Sequence, residues 1–483
     1  MNDLIFLPAV LMAEQVRKKK ISPVELVDAH LGQIERLNPK LNAFVQVDME
    51  RARRAAQEAE IAVMHEKTLG PLHGVPISIK SSLAVAGMLC ESGTRLRAGF
   101  VPAQDAPLVA RLRAAGAIVL GVTNTPELLM AWETDNLLYG RTNNPWDLER
   151  TPGGSSGGEA AAIAAGMSSG GVGSDGGGSI RVPAHFSGIC GLKPTPGRIP
   201  ATGHYPVSAG PFALIGVVGP MARAVADLKV LFEVMQGPDV GDTCAAPVPL
   251  RWPVEDETRK LRVGYFEDDG RTPVTPETRA VVRTAAEALR TAGFQVEPFQ
   301  PEGLGEARQL WQKLFVVAGG MLLRPMFKGR ESDLSPMLKQ FLERSAGEPA
   351  LTGETLLNVW IQRDELRARF LTQMERYPIL LCPAATIPAF RHGERSWRVG
   401  GQTVNYLDAW SYTEFFNLLG NPAVVVPAGR SPEGLPIGVQ IVGRPWEDEQ
   451  ALSVAAALEK QGRAWQSPPI TSSSSQLRVL DLQ

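Results

Sequence analysis

Residues 173–194 read GSDGGGSIRVPAHFSGICGLKP. Gly176, Gly177 and Gly178 stand in a row directly ahead of Ser179, with Asp175 before them and Arg181 just after. A glycine run costs backbone entropy and so needs a reason. One reason is a plain surface loop. The other is a backbone bent so that its successive N–H groups point at something.

Two familiar patterns overlap this region and fail on context. GVGSDG (171–176) fits the dinucleotide pattern G-x-G-x-x-G, but Pro183 follows closely and no acidic residue occurs between Asp175 and Asp227, so the ribose-binding acid is missing. GGSSG (153–157) fits the nucleophile elbow G-x-S-x-G, yet the polar, turn-rich NNPWDLERTP precedes it where a strand is needed. The late histidine of such a hydrolase could only be His392. An α/β-hydrolase-type esterase therefore stays as an alternative. No P-loop pattern is present.

A serine hydroxyl is a weak nucleophile until a neighbour takes its proton. His185 and His204 sit in no triad-like sequence setting. A neutral lysine can do the same work if burial depresses its pKa from about 10.4 to roughly 7–8. VPISIK (75–80) alternates like a strand and ends on Lys80. The competing reading of Lys80 is a snorkelling surface lysine.

The chain has 483 residues, a net charge of −2, 44% apolar and 21% charged residues. Near-neutral charge offers no electrostatic case for nucleic acid or an anionic membrane. Length alone predicts about three domains at roughly 150 residues each. Cys90, Cys190, Cys244 and Cys382 form no C-x-x-C pair, so reduced thiols and a cytoplasmic location are expected. No run approaches the ~18 apolar residues of a membrane span. In MNDLIFLPAVLMAEQVRKKK the lysines follow the apolar run, the reverse of a secretory signal.

Further elements follow from periodicity. Ser22-Pro23-Val24-Glu25 reads as a capping box opening a helix that Asn38-Pro39 should end. AIVLGV (117–122) reads as a buried strand, and the Ala-rich GGEAAAIAAGM (157–167) as a buried helix. Leu356, Val359, Leu366, Phe370 and Met374 mark one face of a long helix. NPAVVVPAG (421–429) and LPIGVQIVG (435–443) read as adjacent strands, 447–460 as a closing helix, and Ser472–Ser475 as part of a loose tail. Strands alternating with helices indicate α/β.

Taken together, GGSSGGEAAAIAAG, GSDGGGSIRVPAHFSGICGLKPTPGR, the VPISIK strand, VVGPMARAVADL and NLLGNPAVVVPAG…GLPIGVQIVG resemble the amidase signature family in content and order, from about residue 5 to 460. The resemblance implies one large α/β domain, a central twisted mixed β-sheet covered by helices on both faces. It would span residues 1–465, with a catalytic core at 65–235 and 410–460, a variable substrate-shaping part at 240–405, and a loose tail at 466–483. It implies a Ser–cis-Ser–Lys triad of Ser179, Ser155 and Lys80, a cis bond ahead of Ser155, and oxyanion donors on Gly176, Gly177, Gly178 and Ser179. Asp175 and Arg181 would hold the loop. Ser156 would assist, its expected role being to cap the Ala-rich helix. In TNTPELLMAWETDNLLYG (123–140), Leu129, Met130 and Trp132 would face the substrate, with Gly154 beside them. That apolar character points to a hydrophobic or aryl acyl group. Lys80-Ser81-Ser82 departs from the common Lys-Asp of the family, while NNPW (143–146) and Glu159 resemble its fatty acid amide hydrolase branch.

The implied activity is amide C–N hydrolysis through a seryl acyl-enzyme, with esterase or carbamate side activity. No cofactor or metal is implied. The partners are a small-molecule amide and water, without nucleic acid or membrane span, and a homodimer is left open. The glutaminase subunit of a tRNA-dependent amidotransferase is the alternative.

Overall fold

A computed structural model describes residues 4–65, 67–462 and 465–471. In chain order its strands are β1 (Phe44–Val47), β2 (Pro76–Lys80), β3 (Ile118–Thr123), β4 (Gly170–Asp175), β5 (Cys190–Lys193), β6 (Val217–Ala222), β7 (Arg262–Tyr265), β8 (Gln295–Pro298), β9 (Ile379–Pro383), β10 (Ser396–Val399), β11 (Gln402–Asn405), β12 (Ala423–Arg430) and β13 (Pro436–Val442). Strands β10 and β11 pair as a separate hairpin; the other eleven form one sheet ordered β1-β3-β2-β4-β6-β5-β12-β13-β9-β7-β8. The sheet is mixed: β2 runs parallel to β3 and β4, and β7 parallel to β8 and β9, while β12 is antiparallel to both β5 and β13. The three domains suggested by length are not found. Strands from residues 262–383 pair onto β13 and extend the same sheet, so the middle of the chain shares the core.

Period-two alternation sends successive residues to opposite faces of the sheet. Ile379, Leu381, Val424 and Val426 join one apolar layer with the helices Pro107–Ala114, Val225–Met235, Pro276–Thr291 and Asp448–Glu459. Leu380, Cys382 and Val425 face the other way, toward the helices Gly157–Ala164, Arg181–Ser187 and Ser411–Leu418. The functional side chains gather in this second layer. Its Ala-rich helix has every residue from Gly157 to Ala164 buried, and small side chains are what allow such close packing.

Two boundaries differ from the periodicity reading. The Ala-rich helix stops at Ala164, because Gly166 turns the chain at φ 71°. The Ser22-capped helix, whose capping box is present, runs through Pro39 to Leu41. Pro39 is tolerated in the last turn because Asn38 Oδ1 gathers the N–H groups of Ala43 and Phe44, and Asn42 ends the helix at φ 51°. Of the tail expected from residue 466, the described part forms a 3-10 turn at Pro469–Thr471, and Ser472–Ser475 lies outside the described residues. Among the described residues no helix is long and apolar enough to cross a membrane.

Candidate active site

Every residue of β2 is buried, and alternation places Ser78 and Lys80 on the same side of it. Lys80 has no exposed surface. Its Nζ lies 2.7 Å from Ser155 Oγ, 2.9 Å from Ser156 Oγ and 3.0 Å from Ser174 Oγ. Burial lowers the Lys80 pKa well below that of a free lysine, against weaker upward pulls from Asp175 and Glu159. The amine is therefore held toward its neutral form among three hydroxyls. Glu159, from the first turn of the Ala-rich helix, braces this strand: it accepts from Ser78 Oγ, and from Thr123 Oγ1 on β3 at 2.7 Å. Burial pushes its carboxyl up to about 7, opposed by those two hydrogen bonds.

Ser155 follows a cis Gly154–Ser155 peptide. Gly154 was expected beside the substrate, but it lines neither lobe of the cavity described below. A Cβ there would sit 2.4 Å from the Glu133 carbonyl oxygen, so Gly154 is needed for close backbone packing. Ser156 was expected to cap the Ala-rich helix. It occupies the N-cap position without making a capping bond; its hydroxyl instead donates to the Ser174 carbonyl at 3.3 Å and faces Lys80.

The glycine loop is held through its carbonyls. The Asp175 carbonyl accepts from Asn417 Nδ2 at 3.1 Å, Gly176 from Trp311 Nε1 at 2.9 Å, Gly177 from Trp132 Nε1 at 2.8 Å and Thr413 Oγ1 at 2.9 Å, and Gly178 from the Val182 N–H at 2.7 Å. In a trans peptide the N–H points away from the carbonyl before it, so four successive N–H groups are oriented at once. Gly178 corrects the expectation of four oxyanion donors: its N–H donates to Asp175 Oδ1 at 2.7 Å. The N–H groups of Gly176, Gly177 and Ser179 have no such partner among the described residues. Only Gly178 needs positive φ, at 111°. Gly176 and Gly177 are there because a Cβ would meet the Phe315 ring at 2.8 Å or the Trp311 ring at 2.6 Å.

Asp175 and Arg181 form a fully buried pair, 2.9 Å apart. Burial alone raises the Asp175 carboxyl, but Arg181, Lys193 and Asn417 together outweigh it and hold the group below the usual carboxylate range. Asp175 Oδ2 also accepts from the Ile180 N–H at 3.1 Å, and Arg181 reaches Gln440 Oε1 at 3.2 Å. Removing one partner of a buried pair typically costs about 3–5 kcal/mol. Asp175→Ala is expected to lose about that much unfolding free energy in urea titration, together with most activity.

Two connected lobes open from Ser179. The larger, about 620 Å³, is lined by Ser155, Ser174, Gly176, Ser179, His204, Phe212 and Val218, among others. The smaller, about 440 Å³, is lined by Trp132, Gly177, Met337, Phe341 and Tyr406. Leu129, Met130 and Phe315 line both. Leu129, Met130 and Trp132, which the resemblance placed against the substrate, lie on the cavity wall. Leu128 and Leu129 take positive φ, 47° and 68°, a conformation that costs roughly 1–2 kcal/mol per residue. No lysine or arginine lines either lobe.

Histidine plays no triad role. The His204 ring lines the large lobe, but its Nδ1–H donates to the Pro206 carbonyl at 2.8 Å and no carboxylate orients it. His185 is buried between Gly438 and Ile387, and His392 lines neither lobe. Sequence reasoning missed Trp311, Phe315, Thr413 and Asn417. The only signals were an aromatic LWQKLF (310–315) and a polar Asn in NLLGNP (417–422), neither of which reveals its partner more than 130 positions away.

A family model described as Amidase matches residues 25–452. An acylamidase from Rhodococcus erythropolis is 35% identical over 464 residues, 95% of this chain and 96% of the relative. An indoleacetamide hydrolase from Bradyrhizobium diazoefficiens is 35% identical over 462 residues, 94% and 86% of the two chains. A solved bacterial aryl acylamidase of the amidase signature family superposes with a TM-score of 0.83 at 27% identity, covering 95% of this chain and 96% of the other. The chain belongs to the amidase family, and it is an amide hydrolase.

Proposed function

We propose that the protein hydrolyses amides with an apolar or aryl acyl group through an acyl-enzyme on Ser179. The observation that carries this reading is the buried Lys80 Nζ, 2.7 Å from Ser155 Oγ, beside a cavity bordered by Ser179 and unpaired loop N–H groups. Neutral Lys80 has one lone pair. Ser156 spends its own proton on the Ser174 carbonyl, and of the two remaining hydroxyls Ser155 is the nearer to Nζ, at 2.7 Å against 3.0 Å for Ser174, and is assigned as the donor to that lone pair. Ser155 in turn takes the proton of Ser179 as Ser179 Oγ attacks the carbonyl carbon. Among the described residues no hydrogen bond joins the two serines, and catalytic contacts of this kind tighten when substrate binds. The N–H groups of Gly176, Gly177 and Ser179 receive the oxyanion. As the C–N bond breaks, the proton returns through Ser155 to the leaving nitrogen. Water then attacks the ester under the same relay and frees the acid.

The two lobes divide the substrate. Ser155 borders the larger one, so the leaving amine lodges there. The acyl group enters the smaller lobe against Trp132, Phe341 and Tyr406. Burying a carboxylate in a lobe whose lining includes no lysine or arginine would cost several kcal/mol, which argues against the glutaminase reading. Esters and carbamates with the same acyl group fit the site and give a side activity.

The test is a panel of anilides, primary amides, carbamates and esters, with glutamine included. We expect kcat/KM for benzoyl or hexanoyl amides to exceed that for a carboxylate-bearing acyl amide by about a hundredfold or more, matching a penalty near 3 kcal/mol. Faster hydrolysis of glutamine than of any apolar amide would overturn the reading.

A further inference from the structure

Two indole N–H groups tie the aromatic surroundings of the small lobe to the glycine loop. Trp132 lines the lobe with its ring and donates its indole N–H to the Gly177 carbonyl at 2.8 Å. Trp311 donates to the Gly176 carbonyl at 2.9 Å, and its ring stacks on Phe315, which lines both lobes, with centroids 4.8 Å apart and planes 14° from parallel. The two tryptophans lie 6.3 Å apart, and Trp132 also stacks on Trp410 at 5.8 Å. Each indole therefore has its N–H edge on a peptide of the loop, while Trp132 itself, and the Phe315 ring stacked on Trp311, line the small lobe. Holding the Gly176 carbonyl aims the Gly177 N–H; holding the Gly177 carbonyl keeps the Gly178 N–H on Asp175 and sets the bend of the loop.

We infer that Trp311 and Trp132 are positioning residues that couple filling of the apolar lobe to alignment of the oxyanion donors. An apolar acyl group packed on Phe315 and Trp132 limits the tilt of both indoles, and their N–H groups pass that restraint to the Gly176 and Gly177 peptides. Acyl binding is then expressed in kcat more than in KM, because a better-aligned donor acts on the anion of the transition state and hardly on the neutral substrate. The inference rests on the acyl-enzyme reading above. Gly177 differs from Gly176 in having a second neighbour in Thr413 Oγ1 at 2.9 Å, whose single proton it shares with the Trp410 carbonyl at 2.8 Å.

The experiment uses a p-nitroanilide series from acetyl through butyryl to hexanoyl and benzoyl, with two inhibitors of matched acyl group. One is a trifluoromethyl ketone: Ser179 Oγ adds to its carbonyl carbon, the oxygen becomes the anion, and the Ser179 proton passes to Ser155. The other is the corresponding trifluoromethyl alcohol, which binds without forming that bond. Trp311→Phe keeps a ring and loses the N–H. It is expected to lower kcat about ten- to a hundredfold, below the 10²–10³ of deleting a donor outright, with KM changed less than about threefold. The rise of kcat along the acyl series should flatten, the ketone should weaken by the same factor as kcat/KM, and the alcohol should bind as before. Trp132→Phe and Thr413→Val should each cost less than about tenfold, and the double variant more than their product, since together they leave the Gly177 carbonyl unheld. Thr413→Ser should restore the second holder. These variants carry the test if Trp311→Phe does not fold. Equal loss of ketone and alcohol affinity, or loss confined to KM, would make the tryptophans wall residues only and overturn the inference. A wild type that forms no ketone adduct would instead sink the Ser179 reading.

Discussion

Ser179→Ala is expected to lower kcat by about 10⁶ and to abolish the acyl-enzyme, because removing the nucleophile of a relay removes nearly all that the relay contributes. Intact-mass spectrometry under turnover of a slow ester should show the acyl adduct on wild type and none on the variant. The hydroxyl of Ser179 makes no hydrogen bond within the protein among the described residues, whereas its backbone carbonyl accepts from the Ser156 N–H at 3.1 Å. The substitution removes one oxygen facing a cavity and disturbs nothing packed, so unfolding free energy should change by less than about 0.5 kcal/mol. Adding Lys80→Met to Ser179→Ala should cost little further activity, since members of a unit fail together. Turnover within tenfold of wild type would refute the assignment of Ser179.

Lys80→Met is the second large effect. The two side chains are similar in length, and methionine has no amine to accept a proton. Loss of a positioned base is worth about 10²–10⁴, and we expect the upper end, because every proton in the proposed cycle passes by this amine. The pH profile separates the role from a structural one. In wild type, activity should fall as pH drops through the folded Lys80 pKa, because protonated Nζ has no lone pair for Ser155. Stability carries a matching signature. Unfolded lysine keeps its proton up to about pH 10.4, while burial holds the folded amine neutral well below that. Between those two values unfolding takes up a proton, so wild-type stability rises with pH by roughly 1 kcal/mol per unit and levels off above about pH 10.4. The methionine variant should lack this slope. Identical pH dependence of unfolding for the two proteins would mean that Lys80 is charged in the fold.

The chemistry of this protein was largely readable along the chain, because it is concentrated in local stretches. The strand ending on Lys80, the GGSSGG pair and the glycine run before Ser179 are short local stretches, and it was their resemblance to a known family, not their spacing alone, that gave them roles. Strand and helix types were readable locally as well: period-two and 3.6-residue patterns are local consequences of one-sided burial.

What the chain could not declare is which distant groups close the site. Arg181 meets Gln440 and Asn417, and the Gly176 carbonyl meets Trp311, across more than 130 positions; no local pattern encodes such a partner. Ser156 looked like a helix cap because Ser is common there, yet the approach of β4 drew its hydroxyl onto Ser174 and Lys80. Gly178 looked like a fourth oxyanion donor until the fold set Asp175 across from it. Local sequence thus determined the elements that carry the candidate groups Lys80, Ser155 and Ser179. Tertiary packing alone decided which N–H groups stay unpaired and which walls line the cavity, because those depend on long-range contacts that meet only when the eleven-stranded sheet assembles.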